Sequence, residues 1–196
     1  NKTYSAFQLN SFGFKMVVIL NVLVGLIVLT TSNTIASSII SREGGKLYIL
    51  KTIPGNTYKL ISAKVAINIA INYLIVALNL IIMLIYPSTE KKVAVLIAAI
   101  FLVFNIVHIL YSASVDLTQS EYQKFEETAD VSKLKNVGFS SVVGIVMSLV
   151  VVILLVAFGA TAKALSLLLV FGVIALVFSA FTFHLKIKVY FDVMCG

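Results

Sequence analysis

Five runs of about 20 mostly apolar residues constrain this chain more than any motif in it, because an α-helix of that length crosses the hydrocarbon core of a bilayer. They cover residues 16–36, 65–86, 93–114, 138–157 and 164–184. Each is too long for a strand and none alternates apolar with polar, so a membrane β-barrel is excluded. A backbone surrounded by lipid must satisfy its own hydrogen bonds, and a continuous apolar run does so only as a helix. Composition agrees: of 196 residues, 60% are hydrophobic and 12% charged, and the mean hydropathy is +1.07. A soluble domain carries about twice that share of charge, which excludes an ordinary water-soluble enzyme. The expected fold is all-α, a polytopic transmembrane helical bundle of about five spans forming one domain over residues 1–196.

The charge balance is Lys+Arg 15 against Asp+Glu 8, a formal net charge of +7. In a soluble chain that excess suggests nucleic acid. Here the basic residues fall between the apolar runs, so they report topology, and no nucleic-acid partner is expected. Arg42, Lys46, Lys51, Lys59, Lys64, Lys124, Lys133, Lys135, Lys186 and Lys188 share one side of the membrane; Lys2, Lys15, Lys91, Lys92 and Lys163 share the other. The positive-inside rule puts the first group in the cytoplasm, together with loops 37–64 and 115–137 and the C-terminus, and leaves the N-terminal segment outside. The expected location is the cell (plasma) membrane. The two outer loops are short, so the polar surface is presented to a cytoplasmic partner. Cys195 is the single cysteine; it permits no internal disulfide and matches no metal-ligand spacing. No secretory leader pattern precedes the first run, and a chain opening on Asn1 is expected to be a piece of a longer protein or a processed one.

Loop 37–64 reads SSIISREGGKLYILKTIPGNTYKLISAK. Pro54, Gly55 and Asn56 break it, since proline donates no backbone hydrogen bond and glycine and asparagine favour turns. Before the break, Leu47, Leu50 and Ile53 recur at three-residue spacing with Lys46 and Lys51 off the stripe, which predicts a short amphipathic cytoplasmic helix at the membrane surface. After it, Asn56 or Thr57 is placed to cap a helix leading into the second span. Gly44, Gly45 and Lys46 do not make a phosphate loop: Ile40 and Leu47 stand where the Walker A pattern needs glycine and a hydroxyl residue. On physics alone the loop is either an interfacial anchor or a docking element.

Ser41-Arg42-Glu43-Gly44, followed by Lys46, Tyr48, Leu50-Lys51, Pro54 and Lys64, resembles a pattern in the permease subunits of exporter-type ABC transporters. In that family a cytoplasmic SREGK segment, an aromatic, LK, an apolar residue and proline precede a span. Gly45 is an insertion relative to the pattern, Tyr48 replaces its tryptophan, and Ala63 stands where glycine is common. A second echo is Asp116-Leu117 followed by Lys135-Asn136 before the fourth span, without the family's intervening proline and tryptophan. The resemblance implies a permease that forms the membrane pathway while a separate cytoplasmic ATP-binding subunit docks on the 41–54 loop. It implies docking contacts from Arg42, Glu43, Lys46, Tyr48, Leu50, Lys51 and Pro54, with Glu43 pairing a basic residue of the ATPase. It also implies that this is the C-terminal half of a longer chain, and a second permease half or a homodimer, with no cofactor in this chain and ATP hydrolysis in another polypeptide.

Polar residues inside the spans fall on single faces. Asn68, Asn72 and Asn79 lie at i, i+4 and i+11, within about 40° of one another around a helix; Asn105, His108 and Ser112 lie at i, i+3 and i+7. Amides facing lipid lack partners, so both stripes are expected to point inward, either joining helices by hydrogen bonds or lining a substrate path. His108 is the one ionisable residue deep in a run, and Asp116, two turns on, is expected at the membrane surface. Ser141, Gly144 and Ser148, and Gly172 with Ser179, predict close helix approach. In loop 115–137, Glu121 and Lys124 at i, i+3 predict a solvated helix carrying ion pairs. No acid cluster or nucleophile–base pair lies at membrane depth, which argues against an intramembrane enzyme. A secondary transporter and a non-transporting scaffold subunit stay open beside the permease. Against the former, no span holds an acidic residue or an evident glycine or proline interruption.

Overall fold

A computed structural model of the chain describes residues 16–46, 57–85, 90–159 and 161–195. The described residues form six α-helices: α1 (Met16–Thr31), α2 (Thr57–Ile85), α3 (Lys91–Thr118), the short α4 (Tyr122–Thr128), α5 (Lys135–Ala157) and α6 (Ala162–Cys195). Short 3-10 segments occupy Ala36–Ser38, Ser41–Lys46 and Val131–Lys133, and no described residue is in a strand. Five apolar segments are long enough to cross a membrane, running Val18–Ser38, Lys59–Ile85, Lys91–Thr118, Lys135–Ala157 and Ala162–Tyr190. The protein is an integral membrane protein of all-α fold. The amphipathic stretch 47–53 lies outside the described residues.

The bundle is organised around α3. Of its apolar segment 61% is buried, against 22–39% in the other four. α3 packs along α6, α2 and α1, while α1 packs along α5. One core layer joins Leu26, Ile97, Phe101, Leu155 and Leu165; a second joins Ile40, Ile61, Ile109, Phe183 and Ile187 at the end where the 39–46 turn sits. The outward faces of α2 and α6 carry Ile67, Leu74, Ile82, Ile174, Phe178 and Phe181, each at least 60% exposed. Such a surface is stable against hydrocarbon and not against water.

Helix ends depart from the apolar runs for identifiable reasons. α2 starts at Thr57 and α6 continues to Cys195, because the lysines that end an apolar run are good helix formers and do not end a helix. α1 stops at Thr31, short of the expected 36. There Thr30 Oγ1 donates to the Leu26 carbonyl (2.8 Å), Thr31 Oγ1 to Ile27 (2.7 Å) and Ser32 Oγ to Leu29 (2.9 Å). The Leu26 and Ile27 carbonyls also accept from the backbone of α1, so those two are second bonds on paired carbonyls, while Ser32 serves the Leu29 carbonyl that the helix end leaves unpaired. The α-helix thus gives way to turn and 3-10 backbone over 32–38, within the one apolar segment Val18–Ser38 and without glycine or proline. α5 ends at Ala157, and two residues on Gly159 turns the chain with a φ of 83°, in the left-handed region glycine enters without strain.

Close approach is concentrated at glycines. A Cβ on Gly144 would stand 2.7 Å from Thr30 Cβ and Oγ1 and 3.0 Å from His108 Nε2, whereas one on Gly138 would meet nothing within 4 Å. Gly144→Ala is expected to lower stability by about 1–3 kcal/mol through overpacking, and Gly138→Ala to leave it within about 0.5 kcal/mol. Thermal unfolding of the two variants in detergent checks this; equal midpoints would contradict the packing described.

Candidate functional site

Two polar clusters are built where apolar helices meet. The first lies at the centre of the bundle. The α1 break turns Asn33 inward, where it is 1% exposed. Its Nδ2 donates to Asn105 Oδ1 (2.8 Å) and to His108 Nδ1 (3.0 Å), and its Oδ1 accepts from Asn72 Nδ2 (3.2 Å). Asn72 Nδ2 also reaches the carbonyl and side-chain oxygens of Asn68, at 2.9 and 3.1 Å. With Nδ1 accepting, the His108 proton sits on Nε2 and is donated to the Ser140 carbonyl (2.9 Å). Ser112 and Ser140 hydroxyls close the chain at 2.6 Å.

Four of the five residues singled out from the two stripes thus meet: Asn68, Asn72, Asn105 and His108 are all buried and joined. Asn79, on the same face of α2, is half-buried and outside the network, its Oδ1 without a partner among the described residues. The hub, Asn33, is a residue the stripes do not contain. Both ring nitrogens of His108 are engaged, one with Asn33 and one with the Ser140 carbonyl, which fixes the orientation of the ring. Among the described residues no group of His, Cys, Asp or Glu side chains is arranged to hold a metal.

The second cluster pins the 41–46 turn. Asp116, expected at the surface, is 0% exposed. Its Oδ2 accepts from the backbone N–H of Ile40 (2.6 Å) and Ser41 (3.1 Å); its Oδ1 accepts from Ser41 Oγ and from Asn136 Nδ2 (3.1 Å). A carboxylate receiving the first N–H groups of a turn caps it as in a helix N-terminus. Asn136 Nδ2 also donates to the Gln119 carbonyl (2.6 Å), the Glu121 N–H donates to Ser41 Oγ (2.9 Å), and Glu121 Oε2 accepts from the Asn136 N–H (3.1 Å). The cap therefore joins α3, α5, the 41–46 turn and the approach to α4. α4 itself packs on the turn.

Of the docking residues implied by resemblance, Arg42 is exposed. Glu43 forms an ion pair with Lys64 of α2, the two side chains 23% and 30% exposed, so its carboxylate already has a partner within the chain. Lys46 belongs to the 3-10 turn. Tyr48, Leu50, Lys51 and Pro54 lie outside the described residues. The solvated helix expected in loop 115–137 is α4, with Lys124 and Glu121 4.0 Å apart. Nearby, the Ser132 hydroxyl and N–H hydrogen-bond to Asp130 and hold its carboxyl below the usual range.

Comparison with family models, with curated proteins and with solved structures finds no match to this chain.

Proposed function

We propose that this chain is the membrane permease component of an ATP-driven transporter of the cell membrane, supplying part of the substrate pathway and docking a separate cytoplasmic ATPase through its 41–54 loop. One observation carries the reading. The two segments that resemble exporter permeases, Ser41–Glu43 and Asp116 with Asn136, lie some seventy residues apart in sequence and close on each other through the Asp116 carboxylate. A loop held this way moves with α3 and α5, so force applied by an ATPase at the turn reaches the buried helices. A second permease half or a second copy of the chain would complete the pathway, and ATP would be hydrolysed in the other polypeptide.

The change from α-helix to 3-10 backbone within the first span, beside an asparagine cluster, favours a second reading, a secondary transporter, whose sites commonly use irregular helices. That reading predicts uptake that survives ATP depletion.

Affinity purification of the full-length parent protein in mild detergent tests the permease. An ATPase is expected to copurify with wild type and to be lost when residues 41–54 are replaced. Because Glu43 also pairs Lys64, Glu43→Lys and Lys64→Met separate the two roles: docking by Glu43 predicts loss of the ATPase in the first and retention in the second. Absence of an ATPase from a folded wild-type sample would overturn the proposal.

A further inference from the structure

The inward face of α5 changes character half-way along. Its buried positions read Asn136, Ser140, Gly144 and Ser148, four residues apart, and then Val151 and Leu155; Val137 is the one apolar residue buried in the first half. α3 shows the matching change on the face turned to α5. There Ile97 and Phe101 give way to His108, Ser112 and Asp116 towards the 41–46 turn. The two polar faces meet. His108 Nε2 donates to the Ser140 carbonyl (2.9 Å), the Ser112 and Ser140 hydroxyls are 2.6 Å apart, and Asn136 Nδ2 donates to Asp116 Oδ1 (3.1 Å).

The two core layers divide along the same line. The layer away from the turn includes Val151 and Leu155 of α5, with Met147, Val152 and Leu154 packed against it. The layer at the turn end draws on α2, α3, α6 and residues 36–40, and among the described residues it contains nothing from α5. Parting an apolar contact exposes hydrocarbon surface to water and costs free energy in proportion to its area. Parting a polar contact where water enters exchanges one set of hydrogen bonds for another, at small net cost. α5 is therefore fastened firmly at the far end and exchangeably at the turn end. α1 packs along α5 and its α-helix stops at Thr31, which leaves it free to follow α5 while Asn33 stays bonded to α3.

We propose that the α3–α5 seam is a gate that opens at the turn end. α5 pivots on Val151 and Leu155, and water and polar solutes enter a cleft lined by His108, Ser112, Asn136 and Ser140. The arrangement described above is the closed state of that gate. Asp116 bonds both the turn and Asn136, so a load on the turn bears first on the bond at the end of the seam. As half of a substrate pathway the cleft rests on the permease reading. The opening itself belongs to this chain and needs no ATPase, so the two fail separately.

The test uses the purified chain in phosphatidylcholine nanodiscs, with Cys195→Ser and one new cysteine at a time, and a charged methanethiosulfonate that reacts only from water. Ser112, Ser140, Ile109 and Leu155 are all 0–3% exposed, so a seam that stays closed protects all four positions. Ser112→Cys and Ser140→Cys are expected to react at least about tenfold faster than the other two, as a local opening easier by that factor requires. Ile109→Cys is the control at the same depth, in the core layer that α5 does not join, and Leu155→Cys is the control at the pivot. Exchange of oxygen for sulfur is a small change, and Ser112 and Ser140 read the seam from opposite helices, so either alone suffices if the other variant does not fold. Asn136→Leu removes the side-chain bonds to Asp116 and to the Gln119 carbonyl. It is expected to speed the reaction at Ser112→Cys about eightfold, the factor that two average interhelical hydrogen bonds supply. Equal rates at the seam and control positions, or no effect of Asn136→Leu, would overturn the inference and leave the seam as fixed helix packing.

Discussion

Asp116→Ala is expected to destabilise the protein by about 3–5 kcal/mol, in the range found when one partner of a buried charged pair or network is removed. Four donors converge on that carboxylate: two backbone N–H groups, a serine hydroxyl and the Asn136 amide. Alanine leaves them without an acceptor in a site where Asp116 and Ser41 are 0% exposed. Each donor stranded in this way costs about 1–3 kcal/mol, part of which relaxation of the turn recovers. Asp116→Asn keeps one oxygen and turns an NH₂ towards groups that are themselves donors, so an intermediate loss is expected. Unfolding in mixed detergent micelles checks the order wild type, Asn, Ala. Limited proteolysis supplies a second readout, because freeing the turn exposes the backbone at Arg42. An alanine variant as stable as wild type, with an uncut turn, would contradict the capping role.

Asn33→Leu is expected to cost about 2–4 kcal/mol. The substitution removes the donor to Asn105 and His108 and the acceptor for Asn72 in one step. Interhelical hydrogen bonds in membranes average about 0.6 kcal/mol and reach about 1.7, so three of them set the lower end of the range. The bulk of leucine beside fully packed neighbours sets the upper end. His108→Leu alone also removes the bond to the Ser140 carbonyl. Since the Asn33–His108 bond is lost in either variant, the double variant is expected to fall short of the sum by about 1 kcal/mol. Strict additivity in the same unfolding assay would show that the two side chains act independently.

The sequence was most readable where a single helix decides the outcome. Apolar run length gives the five spans, and helical spacing places Asn68, Asn72, Asn105 and His108 towards the interior, because each property belongs to one helix and needs no knowledge of its neighbours. Asn33 was not readable in that way. It follows Thr30, Thr31 and Ser32 near the end of a run, where polarity reads as the margin of the membrane; the signal was the three successive hydroxyls able to close a helix on their own carbonyls. Asp116 was misplaced for a related reason. Its position in α3 points to the surface, and its burial comes from residues 75 and 20 positions away. The Glu43–Lys64 pair likewise spans the break between two elements, and no local periodicity reports such a contact. The interior of this protein is specified locally as a direction and non-locally as a set of partners.

The most direct measurement is photocrosslinking in native membranes from a photoreactive amino acid placed at position 48 of the full-length parent protein, with the same group at Phe178 as a control. Phe178 lies on the outward face of α6, 71% exposed. The account predicts that position 48 captures an ATP-binding protein, that Phe178 captures lipid, and that Asp116→Ala reduces the first crosslink and leaves the second unchanged. Capture of lipid alone from both positions would contradict the permease account and return the 41–54 loop to an interfacial anchor.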